Sequence, residues 1–534
     1  MTDHARRALL GGAAVTLAAG ASGLAGGRAA QAAEPGCPQP AGPVTVGRDD
    51  PRYRSLVGRG YNRRFEGRPD HVRVVGSTRD VMRAVEDAVR AGKKIAVRSG
   101  GHCFEDFVDG PSVQVIIDLS GMTGVSFDRE RNAFAVEAGA TLGDVYRRLY
   151  THWGVTIPAG TNPLVGVGGH VQGAGYGTLC RLHGLTVDHL YAVEVVVVDR
   201  TGRARVVVAT REPSDPDHDL WWAHTGGGGG NFGVVTRYWF RSPGARGSDP
   251  SGLLPRPPST VLQFTLDWSW EDLDRGDDPD FLRLLRNYGT WAERNAGAGT
   301  PNAALYSEFA LSSRPLPNVT MAGQVSLDSG AHRPLDDLLS ALHQDIGARP
   351  GRTVTTMPWL TAMTHGLADE PGPVYRVKIK SGLPRRGFTD RQIAAIHRHL
   401  TRTDVPHVGG LLSVNTFGGK VNTVAPEATA MPHRDSVLIL AYVVGWQDAS
   451  QDASQLAWIR ELYADVYRDT GGVPASDGAF VNYPDSDLAD PRHNTSRTPW
   501  HALYYKGSYT RLQRIKARWD PRNVFTHGLG IKPR

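Results

Sequence analysis

The chain has 534 residues, 40% hydrophobic and 21% charged, which is too long for one ordinary domain and too apolar for a disordered chain. Its 60 basic and 54 acidic residues leave a net charge of +6, but the two signs are interleaved and no sustained basic tract suited to nucleic acid occurs. The three cysteines, Cys37, Cys103 and Cys180, exclude a disulfide scaffold, and without a CxxC or HExxH pairing no metal site is expected.

Residues 1–33 differ from all that follows: Arg6 and Arg7, a weakly apolar Ala- and Gly-rich run over 8–24, then Ala29-Ala30-Gln31-Ala32-Ala33. This is the pattern of a twin-arginine signal peptide cleaved near Ala33. A membrane anchor is disfavoured because the run is short and interrupted by glycine, and no later stretch approaches the ~20 apolar residues that span a bilayer. The twin-arginine route exports proteins already folded, often with a cofactor inserted. The expectation is therefore a cofactor protein sent to the cell envelope or beyond it.

A lead-in over 34–66 precedes a strand at 71–75, a helix that Ser77 or Thr78 can cap, with Val81, Val85, Ala88 and Val89 on one face, and a strand at 94–98. Strands follow at 115–119 and 133–137, a helix at 142–150, and a strand at 190–198 whose unbroken apolar run suggests burial on both faces. The turn at 199–202 returns the chain into a strand at 203–208. Over 243–258 the composition shifts to Gly, Pro, Ser and Arg, as at a domain boundary. From 259 to 470 short strands (261–266, 304–311, 437–444) mix with amphipathic helices (281–292, 335–346, 391–400, 453–467), an α+β pattern.

Three glycine-rich segments stand out: Arg98-Ser99-Gly100-Gly101-His102; 165–177, with Gly166, Gly168, Gly169, His170, Gly175 and Tyr176; and Gly226 to Gly230, continuing Asn231-Phe232-Gly233-Val234-Val235-Thr236. Glycine lets backbone amides approach an anion with no Cβ in the way, so three such loops favour a dinucleotide cofactor. None has the Rossmann spacing, which disfavours a nicotinamide site of that type.

These loops, the Pro158-Ala159-Gly160 approach to the second of them, and the ending YYKGSYTRLQRIKARWDPRNVF resemble the berberine bridge enzyme-like flavoproteins of the vanillyl alcohol oxidase and p-cresol methylhydroxylase superfamily. The resemblance spans nearly the whole mature chain. It implies a two-lobed α+β FAD-binding domain over 67–245 and an α+β substrate domain over 259–470, with a broad antiparallel sheet backed by helices. A segment over 471–534 is expected to return to the flavin domain, with FAD between the domains.

On the matching positions, the resemblance implies FAD contacts from Arg98, Ser99, Gly100, Gly101, His102, Cys103, Asn162, Gly166, Gly168, Gly169, His170, Gly175, Gly233, Val234, Asn482 and Tyr483. It also implies a covalent bond from His102 to the 8α-methyl of FAD. A neutral ring nitrogen is a competent nucleophile near pH 7. Cys103 is read as a small packing residue. The family's second attachment, a Cys just before a Pro, falls on Asn162, which cannot form a thioether, and Cys180 matches no attachment position. A single link is expected.

Plant relatives use a Glu base six residues after the aromatic of an aromatic-Gly-Gly-Lys motif. Here that motif begins at Phe417 and places Thr423 in the Glu position, so Phe417 and Thr423 are expected to face substrate without supplying a base. Bacterial and carbohydrate oxidases use a Tyr in an Asn-Tyr motif, matched by Asn482-Tyr483-Pro484, and some present a second Tyr, matched by Tyr176. A phenol becomes a useful base where positive charge or hydrogen bonds lower its pKa from ~10. The resemblance thus implies an oxidase that takes a hydride from a C–H bond of a secondary metabolite or its sugar and passes electrons to oxygen. Alternatives are oxidative cyclisation or rearrangement of an alkaloid, polyketide or quinone antibiotic, or a self-resistance protein that sequesters or reoxidises a reduced quinone. The expected partners are a small molecule and oxygen, with a monomer or homodimer as the assembly.

Overall fold

In the computed structural model, residues 42–329, 332–364, 375–405 and 409–534 are described, so the expected signal segment and Cys37 lie outside them. Ser77 caps the helix Thr78–Arg90 by accepting from the backbone N–H of Asp80, and Val81, Ala84, Val85 and Ala88 bury one face. Strands β2 (His71–Val74) and β3 (Ile95–Arg98) flank this helix in sequence but are not neighbours in space. Strand β4 (Val115–Asp118) lies between them, parallel to both, and β1 (Val44–Gly47) pairs antiparallel with β2. Strands β2 and β3 with the helix between them form a strand-helix-strand unit, with β4 inserted between its two strands. Val115, Ile116 and Ile117 are fully buried, and the central position is the one that buries both faces of a strand.

The second lobe is antiparallel, built from β5 (Val125–Asp128), β6 (Ala133–Glu137), β7 (Leu190–Val198), β8 (Ala204–Thr210) and β9 (Val234–Phe240) in the order β5-β6-β9-β7-β8. Helix Thr78–Arg90 packs against β4 on one side and β7, β8 and β9 on the other. Thr78 adds a hydrogen bond of 2.7 Å to Glu194 on β7.

The second domain carries seven antiparallel strands: β10 (Thr260–Ser269), β11 (Leu305–Ser312), β12 (Asn318–Ser326), β13 (Gly351–Pro358), β14 (Arg376–Gly382), β15 (Gly410–Thr416) and β16 (Leu438–Trp446), in the order β13-β10-β12-β11-β15-β16-β14. Helices Asp280–Arg294, His332–Leu342, Asp390–Leu400 and Asp452–Val466 pack on the sheet and on one another. On β11, Phe309 points to them and meets Tyr288 and Trp268. Its neighbours Tyr306 and Glu308 point the other way, into a cavity facing the flavin-type lobes. Beyond this sheet, helix Tyr509–Trp519 reaches the second lobe, where buried Lys516 donates to the carbonyls of Asn231 (2.6 Å) and Phe525 (2.5 Å) and pairs with Asp520. The arrangement is α+β throughout.

Candidate active site and cofactor cradle

A cavity of about 530 Å³ lies where the two lobes, the seven-stranded sheet and the C-terminal segment converge. Its floor is backbone. The loop after β3 and the loop at Gly166 touch so closely that a Cβ on Gly100 would lie 2.3 Å from the Gly166 nitrogen, and one on Gly166 would lie 2.2 Å from the Gly100 nitrogen. Only glycine fits either position. The middle glycine segment does not sit at a strand end: it opens the short helix Val167–Gln172 with Gly166 as its N-cap.

By contrast, Gly169 has nothing within 4 Å of its Cβ position and Gly229 only the Gln172 amide at 3.8 Å, yet both line the cavity. A glycine floor closed on its underside and open above suits the close approach of a dinucleotide, so the residues present fit FAD. Beneath the floor, buried Arg98 is held by Asp118 at 2.9 Å, and Ser99 donates to the Ala138 carbonyl at 2.6 Å. Gly233 is needed where β9 crosses β7, because a Cβ there would lie 2.5 Å from the Val196 carbonyl oxygen.

His102 lines this cavity with its ring stacked on Tyr61, centroids 4.6 Å apart. Burial lowers its pKa to about 4, so the ring is neutral at pH 7, the form a nucleophilic nitrogen requires. Burial pushes the thiols of both Cys103 and Cys180 up to about 12, which keeps them protonated and unreactive at neutral pH. Asn162 also lines the cavity, and its side-chain oxygen accepts from the Leu164 N–H at 2.9 Å within its own turn. His170, again lowered to about 4 by burial, accepts from the Gly160 N–H at 3.3 Å.

Gly175, at φ +67°, packs under the His170 ring and Thr186 and is not on the cavity wall. Nor are Phe417 and Thr423. Phe417 is buried behind Tyr176, and Thr423 lies exposed on a 3₁₀ turn with its hydroxyl on the Lys420 carbonyl.

Asn482 packs over Gly173, where a Cβ would lie 2.0 Å from its side-chain oxygen, and donates to the His170 carbonyl at 2.9 Å. That clamp carries Tyr483 to the cavity wall, where its hydroxyl meets that of Tyr176 at 2.5 Å. Burial raises the pKa of both phenols, and among the described residues no cation acts to lower either. The hydrogen bond from Tyr176 partly offsets the rise at Tyr483, whereas the same bond adds to the rise at Tyr176. Either hydroxyl can be the donor in this bond, so whichever phenol ionises has the other's O–H to accept from. An aromatic chain links the two ends of the site: His102 on Tyr61, Tyr61 on Phe104, Phe104 on Tyr483.

Two features had escaped the sequence reading. The first is the polar row on the cavity face of the sheet, formed by Tyr306, Glu308, Ser413 and Asn415. The second is a buried ionic cluster next to Tyr483. Lys378 and Lys380 of β14 meet Asp485 at 2.7 Å each, Lys378 meets Glu105 at 2.5 Å, Lys380 meets Asp487 at 2.9 Å, and Arg460 meets Asp487 at 2.8 Å. Glu105 lies three residues beyond His102 and Asp485 two beyond Tyr483, so one charge-balanced cluster ties the two loops to the sheet.

A glycine cradle for a dinucleotide, facing a sheet-walled cavity with paired phenols, defines an FAD-linked oxidoreductase with a p-cresol methylhydroxylase-type fold. The FAD binding domain family matches residues 69–207 and the berberine and berberine-like family residues 479–532. The chain belongs to the berberine bridge enzyme-like family of FAD-linked oxidoreductases. It is 49% identical to the aclacinomycin-N/aclacinomycin-A oxidase of Streptomyces galilaeus, over 100% of this chain and 99% of that one. It is 32% identical to the hexose oxidase of Chondrus crispus, over 91% and 94% of the two chains. Among solved structures, that of a glycopeptide hexose oxidase complexed with teicoplanin superposes with a TM-score of 0.88 at 49% identity, covering 93% of this chain and 100% of that one.

Proposed function

We propose that this protein is an FAD-dependent oxidase that converts an alcohol carbon of a glycosylated or otherwise bulky secondary metabolite to a carbonyl and delivers the electrons to oxygen as hydrogen peroxide. The observation that carries it is the Tyr176–Tyr483 pair on the wall of a cavity whose floor is the glycine cradle. When bound, FAD supplies a hydride acceptor at N5 and an outlet for two electrons to oxygen. Tyr483, once its own proton has been released to solvent, takes the hydroxyl proton as the C–H bond gives up its hydride, and Tyr176 donates to the phenolate oxygen beforehand. The sheet above excludes water. The relatives named for a glycosylated antibiotic and for a hexose support this substrate class. The test is anaerobic mixing with glycosylated aromatic metabolites, followed by air. Flavin bleaching and then stoichiometric peroxide is the expected result. Binding without bleaching would favour sequestration and overturn the oxidase reading.

The flavin is attached through His102 alone. The neutral imidazole lining the cavity supports the link, and the hydrogen-bonded Asn162 amide and the buried, protonated Cys180 supply no second one. Acid precipitation should leave a yellow pellet, and mass spectrometry should find FAD on one peptide, the one containing His102. A colourless pellet, or a cross-linked pair of peptides, contradicts this.

Export by the twin-arginine route, with FAD already attached, is the proposal for the first 33 residues, supported by Arg6, Arg7 and the Ala-rich ending. Changing Arg6 and Arg7 together to Lys should hold flavinylated protein in the cytoplasm. Unchanged secretion refutes it.

A further inference from the structure

The four polar side chains on the cavity face of the sheet form one directed hydrogen-bond chain. The Tyr306 hydroxyl donates to the Asn415 side-chain oxygen at 2.8 Å, the Asn415 amide donates to Ser413 Oγ at 2.8 Å, and the Ser413 hydroxyl donates to Glu308 Oε1 at 2.8 Å. The second Asn415 N–H points to the Ile439 carbonyl at 3.4 Å, which can only accept and so fixes the direction of the amide.

With Glu308 ionised, every donor in the row is therefore engaged within the protein. What the row leaves toward the cavity is acceptor capacity: the lone pairs of the Tyr306 hydroxyl and the second oxygen of Glu308. Glu308 is also the one carboxylate among the described residues that line this cavity. Its place is set by register, since on β11 and β15 Glu308 pairs with Asn415 and Ala310 with Ser413. Beside the row stand the apolar side chains of Ile379, Leu411, Ala441 and Val443.

We propose that Glu308 is the specificity-determining carboxylate of this site, accepting a hydrogen bond from a hydroxyl of a sugar ring whose C–H face lies on the neighbouring apolar side chains. A row of acceptors next to an apolar strip complements a molecule with donors on its edge and carbon on its face, which a pyranose offers. Ser413, Asn415 and Tyr306 act through Glu308, as positioning residues that hold its Oε1 and turn its other oxygen outward. Burial raises the Glu308 carboxyl to about 7, so an unliganded site carries an under-solvated acceptor that a substrate donor relieves. The phenols of Tyr306, Tyr176 and Tyr483 all lie close enough to feel its charge.

This inference rests on the substrate class proposed above, and its test separates the two. The holoenzyme and its Glu308→Gln and Ser413→Ala variants are titrated anaerobically with D-glucose and with each monodeoxy-D-glucose, following the flavin absorption for both half-saturation and limiting reduction rate.

For the parent enzyme, one deoxy sugar should bind more weakly than D-glucose. Glu308→Gln should weaken D-glucose by about 10- to 100-fold, the usual worth of a hydrogen bond to a charged group, and should no longer discriminate against that deoxy sugar. Its limiting rate should stay within about threefold. Ser413→Ala should shift half-saturation in the same direction by a smaller factor, which guards against a Glu308 variant that fails to fold.

Equal weakening of every sugar, or no spectral response of the parent enzyme to any of them, overturns the proposal. So does a hundredfold loss of limiting rate at unchanged half-saturation, which would make Glu308 a base. Discriminating binding without flavin bleaching leaves the recognition role standing and removes the oxidase reading instead.

Discussion

Tyr483→Phe should leave the fold and the attached FAD intact while slowing anaerobic flavin reduction by ~10²- to 10⁴-fold, about 3 to 5 kcal/mol of barrier. The substitution keeps the ring, which packs edge-on against Phe104 and Phe480, and deletes the oxygen that meets Tyr176 at 2.5 Å. The size of the effect follows from the surroundings. Burial raises the phenol's pKa, so Tyr483 becomes a base only by first releasing its own proton to solvent; the phenolate so formed then takes the substrate hydroxyl proton as the hydride leaves, a role phenylalanine cannot fill.

Tyr176→Phe should cost less, because it removes the donor that steadies Tyr483 and leaves the base in place. Reoxidation by oxygen should change little in either variant. A two- or threefold loss in reduction for Tyr483→Phe, with a larger one for Tyr176→Phe, would reverse the assignment.

The parts of this site that were legible in the sequence are those where backbone geometry dictates the residue. Gly100 and Gly166 touch backbone to backbone and tolerate nothing else, so their loops stand out in any reading, and His102 comes with its loop. The α+β class is legible in segments such as the unbroken apolar run at 190–198 and the helical period of 281–292.

What was not legible depends on pairings across long separations. The residues 305–312, LYSEFALS, alternate as any half-buried strand does. Nothing local says that the Tyr306 and Glu308 face looks onto a cofactor cavity and not onto water, because that is decided by where the second domain docks. The 376–382 segment, RVKIKSG, goes unassigned in the sequence, and nothing local marks its lysines as buried. Its lysines are buried because Asp485 and Asp487, about a hundred residues on, fold back over them. Strand β13, with Thr353, Val354, Thr355 and Thr356 on an exposed edge, lacks the apolar alternation that would announce it. Thr423 shows the opposite limit: matching a motif located a position, but the turn it occupies points to solvent.

The buried cluster beneath Tyr483 carries the second large effect. Lys378→Met should lower stability by about 3 to 5 kcal/mol, because it leaves Glu105 and Asp485 buried with less positive charge than they need. The Lys378–Glu105 and Lys378–Asp485 contacts join the loop after His102 and the segment after Tyr483 to β14, the edge strand whose free side is covered by Asn62. The loss should appear as a lower denaturant midpoint at unchanged slope. Adding Glu105→Gln removes one of the stranded charges, so the double variant should recover part of the loss, with a coupling of about 0.5 to 3 kcal/mol.

The pH dependence can be signed. At Lys378 burial opposes the charge, but Asp485, Glu105 and Asp487 outweigh it and raise its pKa, so its contribution is complete below the unfolded value of ~10.4 and fades only above that. At Asp487 burial again opposes the charge, yet the Arg460 hydrogen bond and the two lysines hold the carboxyl far below the usual range. Its contribution is therefore complete above ~4 and lost as pH falls through the depressed value. Between those limits Lys378 and Asp487 both stay charged, and the cost of Lys378→Met should be flat from about pH 5 to 9. A cost under about 1 kcal/mol, or one that varies steeply inside that window, would mean that the carboxylates reach water in the folded protein and that the cluster does not hold the two loops together.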